Sequence, residues 1–257
     1  LFMKRLLYIS TGILLMLPLV AILFLSVVGR WSGQHLLPEY FTLEHWSGLF
    51  SLQSNLGRSF LTSLGISFTI AAFSTTFGFM ISRQLSELSK NKGLIQLAYF
   101  PYLIAPVVFG TMLQFYFNKV SLTGSMGGVW IAQLLFIFPY SVLLLSTFWN
   151  TRIRQIGFQA TTLGASNWQV YRQVFIPMAK PWLFISFVQC FLISWYEYGI
   201  TQLIGVGKVK TLTVQAMLFV KEANPFLAGL AACLMVLPVL VLLAVNKQIF
   251  LKRTEAI

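Results

Sequence analysis

The sequence predicts an all-α integral membrane protein: six transmembrane helices, with a polar and basic segment between the fourth and fifth. Three observations carry that prediction. The chain of 257 residues is 57% hydrophobic and only 9% charged, where a soluble domain carries roughly 25% charged residues. Apolar runs of about 20 residues, the length that crosses a bilayer, recur from end to end. The longest polar interval, residues 158–181, lies between two such runs and holds Arg172 and Lys180 but no carboxylate. A turn of a few residues would have joined those runs, so the interval is expected to be held by something outside the membrane.

The first run, residues 6–28, follows Met3-Lys4-Arg5. A basic start and an apolar run also describe a signal peptide, but this run exceeds the usual apolar core of about 7–15 residues and no small-x-small cleavage site follows it. It is expected to be a retained span that starts in the cytoplasm. Residues 29–58 read as a polar loop with Trp31 and Trp46 at the membrane boundary; its two histidines, His35 and His45, read as surface residues rather than metal ligands. The second span, 59–81, is rich in Ser, Thr and Gly, which let helices approach closely in lipid. The third, 94–117, contains Pro101 and Pro106 and is expected to kink, its freed carbonyls needing neighbours. The fourth, 126–148, carries Pro139. The central segment occupies 149–181, the fifth span 182–204, and the sixth 225–245 with Pro238, the whole forming one membrane domain over residues 1–257.

Six spans leave both termini on one side. With the termini inside, Lys4, Arg5, Arg83, Lys90, Lys92, Arg152, Arg154, Arg172, Lys180, Lys247, Lys252 and Arg253 are cytoplasmic, and Arg30, Arg58, Lys119, Lys208, Lys210 and Lys221 are external. The two-to-one excess follows the positive-inside rule and places the central segment in the cytoplasm of a bacterial-type inner membrane. The net charge of +12 thus sets topology and does not call for nucleic acid. Cys190 and Cys233 each fall inside an apolar run and offer neither a disulfide framework nor metal spacing.

Within the central segment, Gln159-Ala160-Thr161, then Gly164, then nine residues leading to Val174-Phe175-Ile176-Pro177 resembles the EAA loop of ABC-importer permeases of the MetI-like fold. The core Leu163-Gly164-Ala165-Ser166-Asn167-Trp168 is similar to the same family, as is the six-span layout. The resemblance implies that this segment is a coupling helix docking on a cytoplasmic ATPase through Gln159, Ala160, Thr161, Gly164, Ala165, Ser166, Trp168, Ile176 and Pro177. Gln159 and Thr161 depart from the usual Glu and Ala, so an ion pair at Gln159 is not implied. Physically, residues 153–163 can form a short helix that Gly164 ends, and residues 168–175 a second that Pro177 breaks.

Glu197 is the only acid well inside a span, where carboxylates are costly and usually functional. It reads as a structural partner for a neighbouring hydroxyl or backbone group, as part of the translocation path or gate with Tyr198, Pro101 and Pro106, or as a site for a cationic substrate. Permeases of the family often carry an acid, an aromatic and Gly here, irrespective of substrate charge. Gly205-Val206-Gly207-Lys208 lacks the first Gly and the Ser/Thr of a phosphate loop; with residues 210–214 it resembles the outer loop of the polyamine, iron, thiamine and sulfate branches. Serines lack an accompanying His/Asp arrangement, so hydrolysis has no support.

The resemblance implies one permease subunit of an ATP-driven importer for a small polar solute of the polyamine, thiamine, iron, phosphonate or sulfate type. It implies a second permease, identical or related, two cytoplasmic ATPases and an external substrate-binding protein. The chain carries no nucleotide site or cofactor of its own, ATP being bound by the partner, so it is not an enzyme alone. The alternative, an ion-coupled secondary transporter or channel, calls for several charged residues along the spans, and here there is one.

Overall fold

A computed structural model describes residues 2–31, 38–50, 54–87 and 98–254. The chain forms two compact units, one built from the described parts of 1–63 and 210–257, the other from those of 64–209.

In the first unit, α1 (Phe2–Val27) runs against α10 (Pro225–Thr254). The approach is close at Gly229, where an added Cβ would sit 2.9 Å from Leu25 Cβ. A two-stranded antiparallel ribbon follows α1, pairing β1 (Val28–Arg30) with β2 (Tyr40–Phe41). The single-turn helix α2 (Glu44–Ser47) comes next. His35 and residues 88–97, which include Lys90 and Lys92, lie outside the described residues. Residues 210–214, which read as part of an outer loop, instead lead into α9 (Leu212–Lys221). Thr213, Val214 and Gln215 in its first turn are buried, and Leu212 N–H donates to Ser63 Oγ at 2.6 Å.

The long helix α3 (Asn55–Glu87) outruns the expected second span at both ends. From Leu64 onward it belongs to the second unit with α4 (Pro106–Lys119), α5 (Met126–Ser146), α6 (Thr151–Thr162), α7 (Asn167–Trp195) and α8 (Gly199–Gly205). The small residues of α3 do what their composition predicts. Ser67, Ser74 and Ser82 are buried, Ser141 Oγ of α5 donates to Ser74 O at 2.8 Å, and a Cβ at Gly78 would meet Ser141 Oγ at 2.5 Å. Helices α3 and α5 therefore touch almost backbone to backbone.

Five helices among the described residues are long and apolar enough to cross a membrane: Arg5–Val27, Asn55–Ser86, Met126–Ser146, Asn167–Trp195 and Pro225–Leu242. The third expected span differs. Its prolines break the chain rather than kink a helix: Pro101 sits buried in a 3₁₀ turn, Phe100–Leu103, and Pro106 opens α4. The cause is steric, since a proline disfavours the α conformation in the residue before it, and Ala105 is extended at φ −59°, ψ 140°. The 14 residues of α4 rise only about 21 Å. The fifth expected span is likewise divided, into α7 and α8, at residues 196–198.

Pro177 does not end the second helix of the central segment. Helix α7 runs through it, and through Pro181, without a break. The turn just before it, Val170–Phe175, is a π-helix, whose wider ladder absorbs the missing N–H and the ring that would clash one turn back in a regular α-helix.

Candidate functional site

Two clusters of the second unit hold the sequence-predicted residues. The first is the bent segment made by α6 and the start of α7. Asn150 caps α6, its Oδ1 accepting from Ile153 N–H at 3.0 Å. The helix ends in a Schellman arrangement: Ala165 N–H donates to Ala160 O at 3.1 Å and Gly164 N–H to Thr161 O at 3.0 Å. Gly164 supplies the left-handed conformation this requires, φ +87°. Two residues later Ser166 opens α7 with a reciprocal cap, Ser166 N–H donating to Gln169 Oε1 at 2.8 Å and Gln169 N–H to Ser166 Oγ at 3.3 Å. Ala160, Thr161, Gly164, Ala165 and Ser166 thus take part in the two caps that set the bend.

The inner side of the bend is anchored. Trp149, Ile153, Val170, Phe175 and Ala179 form a buried cluster with Phe79, Leu145 and Phe148. Trp149 stacks on Phe79 with centroids 5.0 Å apart, and its Nε1–H donates to Ser82 Oγ at 2.9 Å. Gly157 lets α6 lie on the Phe175 ring, which a Cβ there would approach to 2.6 Å. The Arg83 guanidinium lies 5.1 Å from the same ring on its other account, as a cation over an aromatic face. Arg154 donates to Ser86 O. Ala160, Ala165 and Ile176 pack at the edge of the cluster.

The outer side is bare. Leu163 is 88% exposed, Phe158 70% and Trp168 63%, and Gln159, Thr161, Gly164, Ser166 and Pro177 are exposed beside them. Large apolar side chains are thus left open on an anchored bend. Phe158 was not singled out in the sequence, and Leu163 entered only as part of the Leu163–Trp168 core, because apolar residues in an apolar chain carry no signal until the fold turns them outward.

The second cluster surrounds Glu197 at the break between α7 and α8. Its Oε1 accepts from Ile200 N–H at 2.6 Å, and its Oε2 from Thr201 N–H at 2.9 Å and Thr201 Oγ1 at 2.7 Å. The carboxyl group therefore caps the first turn of α8, at the positive end of the helix. Gln133 of α5 closes the cluster. Its amide donates to Thr201 Oγ1 at 2.7 Å and reaches Glu197 Oε2 at 3.5 Å, while its carbonyl oxygen accepts from Ser194 Oγ at 2.6 Å. All four side chains are buried. Gln133 was missed, though a lone amide in an apolar run is the signal that would have found it. Tyr198 is half-buried beside Glu197. Pro101 and Pro106 flank the break before α4, and α4 packs on α8, where Gly199 and Gly110 admit Val107 and Ile200 respectively. The Gly205-Val206-Gly207-Lys208 stretch closes α8 with left-handed residues at φ +45° and +70°.

Comparison with known proteins gives a consistent picture. Residues 94–255 match the model of the family described as "binding-protein-dependent transport system inner membrane component". A permease protein of Salmonella typhimurium, named for a 2-aminoethylphosphonate transport system, is 28% identical over 235 residues, covering 90% of this chain and 86% of its own. A diacetylchitobiose uptake system permease protein of Streptomyces coelicolor is 22% identical, covering 82% of this chain and 71% of its own. Among solved structures, a bacterial ABC transporter that imports the acidic polysaccharide alginate superposes with a TM-score of 0.65 at 15% identity, over 96% of this chain and 95% of that one.

Proposed function

Because the chain belongs to the family of binding-protein-dependent transport system inner membrane components, and is accordingly a membrane-embedded permease subunit of an ATP-driven ABC importer, we propose that the α6–α7 bend is the part its cytoplasmic ATPase grips. The observation that carries this is the contrast between the two sides of the bend: a buried aromatic anchor inside, and exposed Phe158, Leu163 and Trp168 outside. A push on the outer side passes through Trp149 and Phe175 into α3, α5 and α7 as rigid-body motion. Both termini and the bend then face the cytoplasm, as the excess of Lys and Arg on that side supports. The chain forms half of the path beside a second permease, and an external binding protein delivers the solute. Glu197 holds the jointed α7–α8 wall in shape from within, with Tyr198, Pro101 and Pro106 at the neighbouring breaks.

The solute is small and polar, and similarity to the Salmonella protein puts a phosphonate-type anion first among those to test. The test is uptake into proteoliposomes containing this chain and the ATPase, permease and binding-protein subunits encoded beside it. Uptake of 2-aminoethylphosphonate that requires ATP and the binding protein supports the reading. ATP-dependent uptake of a different solute would overturn only the substrate, whereas uptake driven by an ion gradient without ATP would overturn the mechanism.

A further inference from the structure

The inner angle of the bend encloses a pocket of about 680 Å³ lined by Arg83, Ser86, Arg154, Thr161 and Asn167 over a floor that includes Trp149 and Phe175. The guanidinium-bearing Arg83 and Arg154 and the amide-bearing Asn167 line it. The hydroxyls of Ser86 and Thr161 already donate to Arg83 O and Phe158 O, and no carboxylate is among its lining residues in the described part of the chain. Arg154 Nε is buried with no hydrogen-bond partner among the described residues, although its other nitrogen donates to Ser86 O. A buried guanidinium N–H left unmatched costs free energy that an anion would recover. Asn167 is the first residue of α7, so the helix terminus adds its own positive end to the same wall.

We propose that this pocket binds a phosphate-bearing anion, held by Arg83 and Arg154. Such an anion would bridge the end of α3 to both arms of the bend, and so stiffen the joint that Trp149 and Phe175 anchor. The chemistry is that of a phosphoryl group, whether it belongs to an acidic phospholipid headgroup or to free phosphate. Binding is a property of the permease chain itself, although Phe158 and Thr161 belong both to the pocket lining and to the exposed face of the bend.

The experiment uses the purified full chain in nanodiscs of neutral phosphatidylcholine, following the unfolding midpoint and, by native mass spectrometry, retained lipid. In one arm inorganic phosphate is titrated in; in the other, phosphatidylglycerol replaces part of the lipid. Stabilisation by phosphate in neutral nanodiscs identifies a soluble source. Stabilisation and retention of phosphatidylglycerol, with phosphate adding nothing, identifies a lipid source. In either case Arg154→Gln should weaken binding about tenfold or more, the loss of one charge-assisted contact, with Arg154→Lys weakened less. Because Arg154 also braces Ser86, a second variant, Asn167→Asp, places a negative charge on the exposed rim without removing a buried group and should weaken binding comparably. The proposal is overturned if neither phosphate nor phosphatidylglycerol shifts the midpoint, or if the shift survives unchanged in both Arg154→Gln and Asn167→Asp.

Discussion

At the scale of single residues, Glu197 and its neighbours show how a buried polar group is kept without disorder. Removing the carboxyl group leaves Ile200 N–H, Thr201 N–H and the Thr201 hydroxyl without their acceptor, each unsatisfied buried donor costing about 1–3 kcal/mol. Glu197→Ala should therefore lower the thermal midpoint of the purified protein and cut transport, while the chain still inserts in the membrane. Glu197→Gln tests the structural reading against the substrate-site reading. If the residue is a cap, the variant slows transport of every solute alike, and competition assays show unchanged selectivity; a change in which solute competes best would make Glu197 a substrate contact. Gln133→Leu should imitate the slow phenotype, since it strips Thr201 and Ser194 of a partner from the opposite helix. Of this cluster the sequence exposed the acid, because a lone carboxyl in an apolar run is conspicuous. It did not expose the cap, because no proline marks the break in the helix at 196–198 and Gln133 comes from a different helix.

At the scale of elements, the turn at Gly164 between α6 and α7 was legible from the glycine itself, and the structure puts Gly164 in the left-handed conformation there. The Ser166 and Gln169 cap that starts α7 was not read from the sequence, although Ser followed three residues later by Gln is its signature. What failed was the inference from proline. Pro177 was expected to stop a helix, and instead follows a π-turn that makes room for it; Pro106 was expected to kink a span, and instead starts the short helix α4. Proline's effect depends on which N–H it removes, and that is set by register, which composition does not reveal. The bend's own prediction follows from its backbone. Gly164→Val forces a β-branched residue into φ +87°, a strain of about 1–3 kcal/mol. No atom lies within 4 Å of the added Cβ, so the damage is confined to the angle: membrane insertion should be intact and transport strongly reduced. Gly157→Leu, which pushes α6 off the Phe175 ring, should do the same through the anchor, whereas Trp168→Ala should spare stability and weaken ATPase docking, measured as ATPase co-purified per permease.

At the scale of the whole molecule, composition and the distribution of basic residues carried the membrane assignment, and five of the helices have the length and apolarity it requires. The third expected span is the exception, its described part being a 3₁₀ turn and the short α4. The proposed orientation rests on the charge distribution and has a direct check. In a chain with Cys190 and Cys233 replaced, a cysteine at Leu163 should react with an impermeant maleimide only when the cytoplasmic face is open, and a cysteine at Lys208 only from outside. Labelling of both from one face would reverse or refute the topology.

The central claim is that the outer face of the bend is where ATP hydrolysis meets the membrane. Leu163, 88% exposed at the tip, is the position to probe. With the native cysteines removed, Leu163→Cys should cross-link to the ATPase subunit of the assembled importer, with a yield that changes between the nucleotide-free and ATP-bound states. A folded, assembled complex in which Leu163→Cys never reaches the ATPase in either state would contradict it.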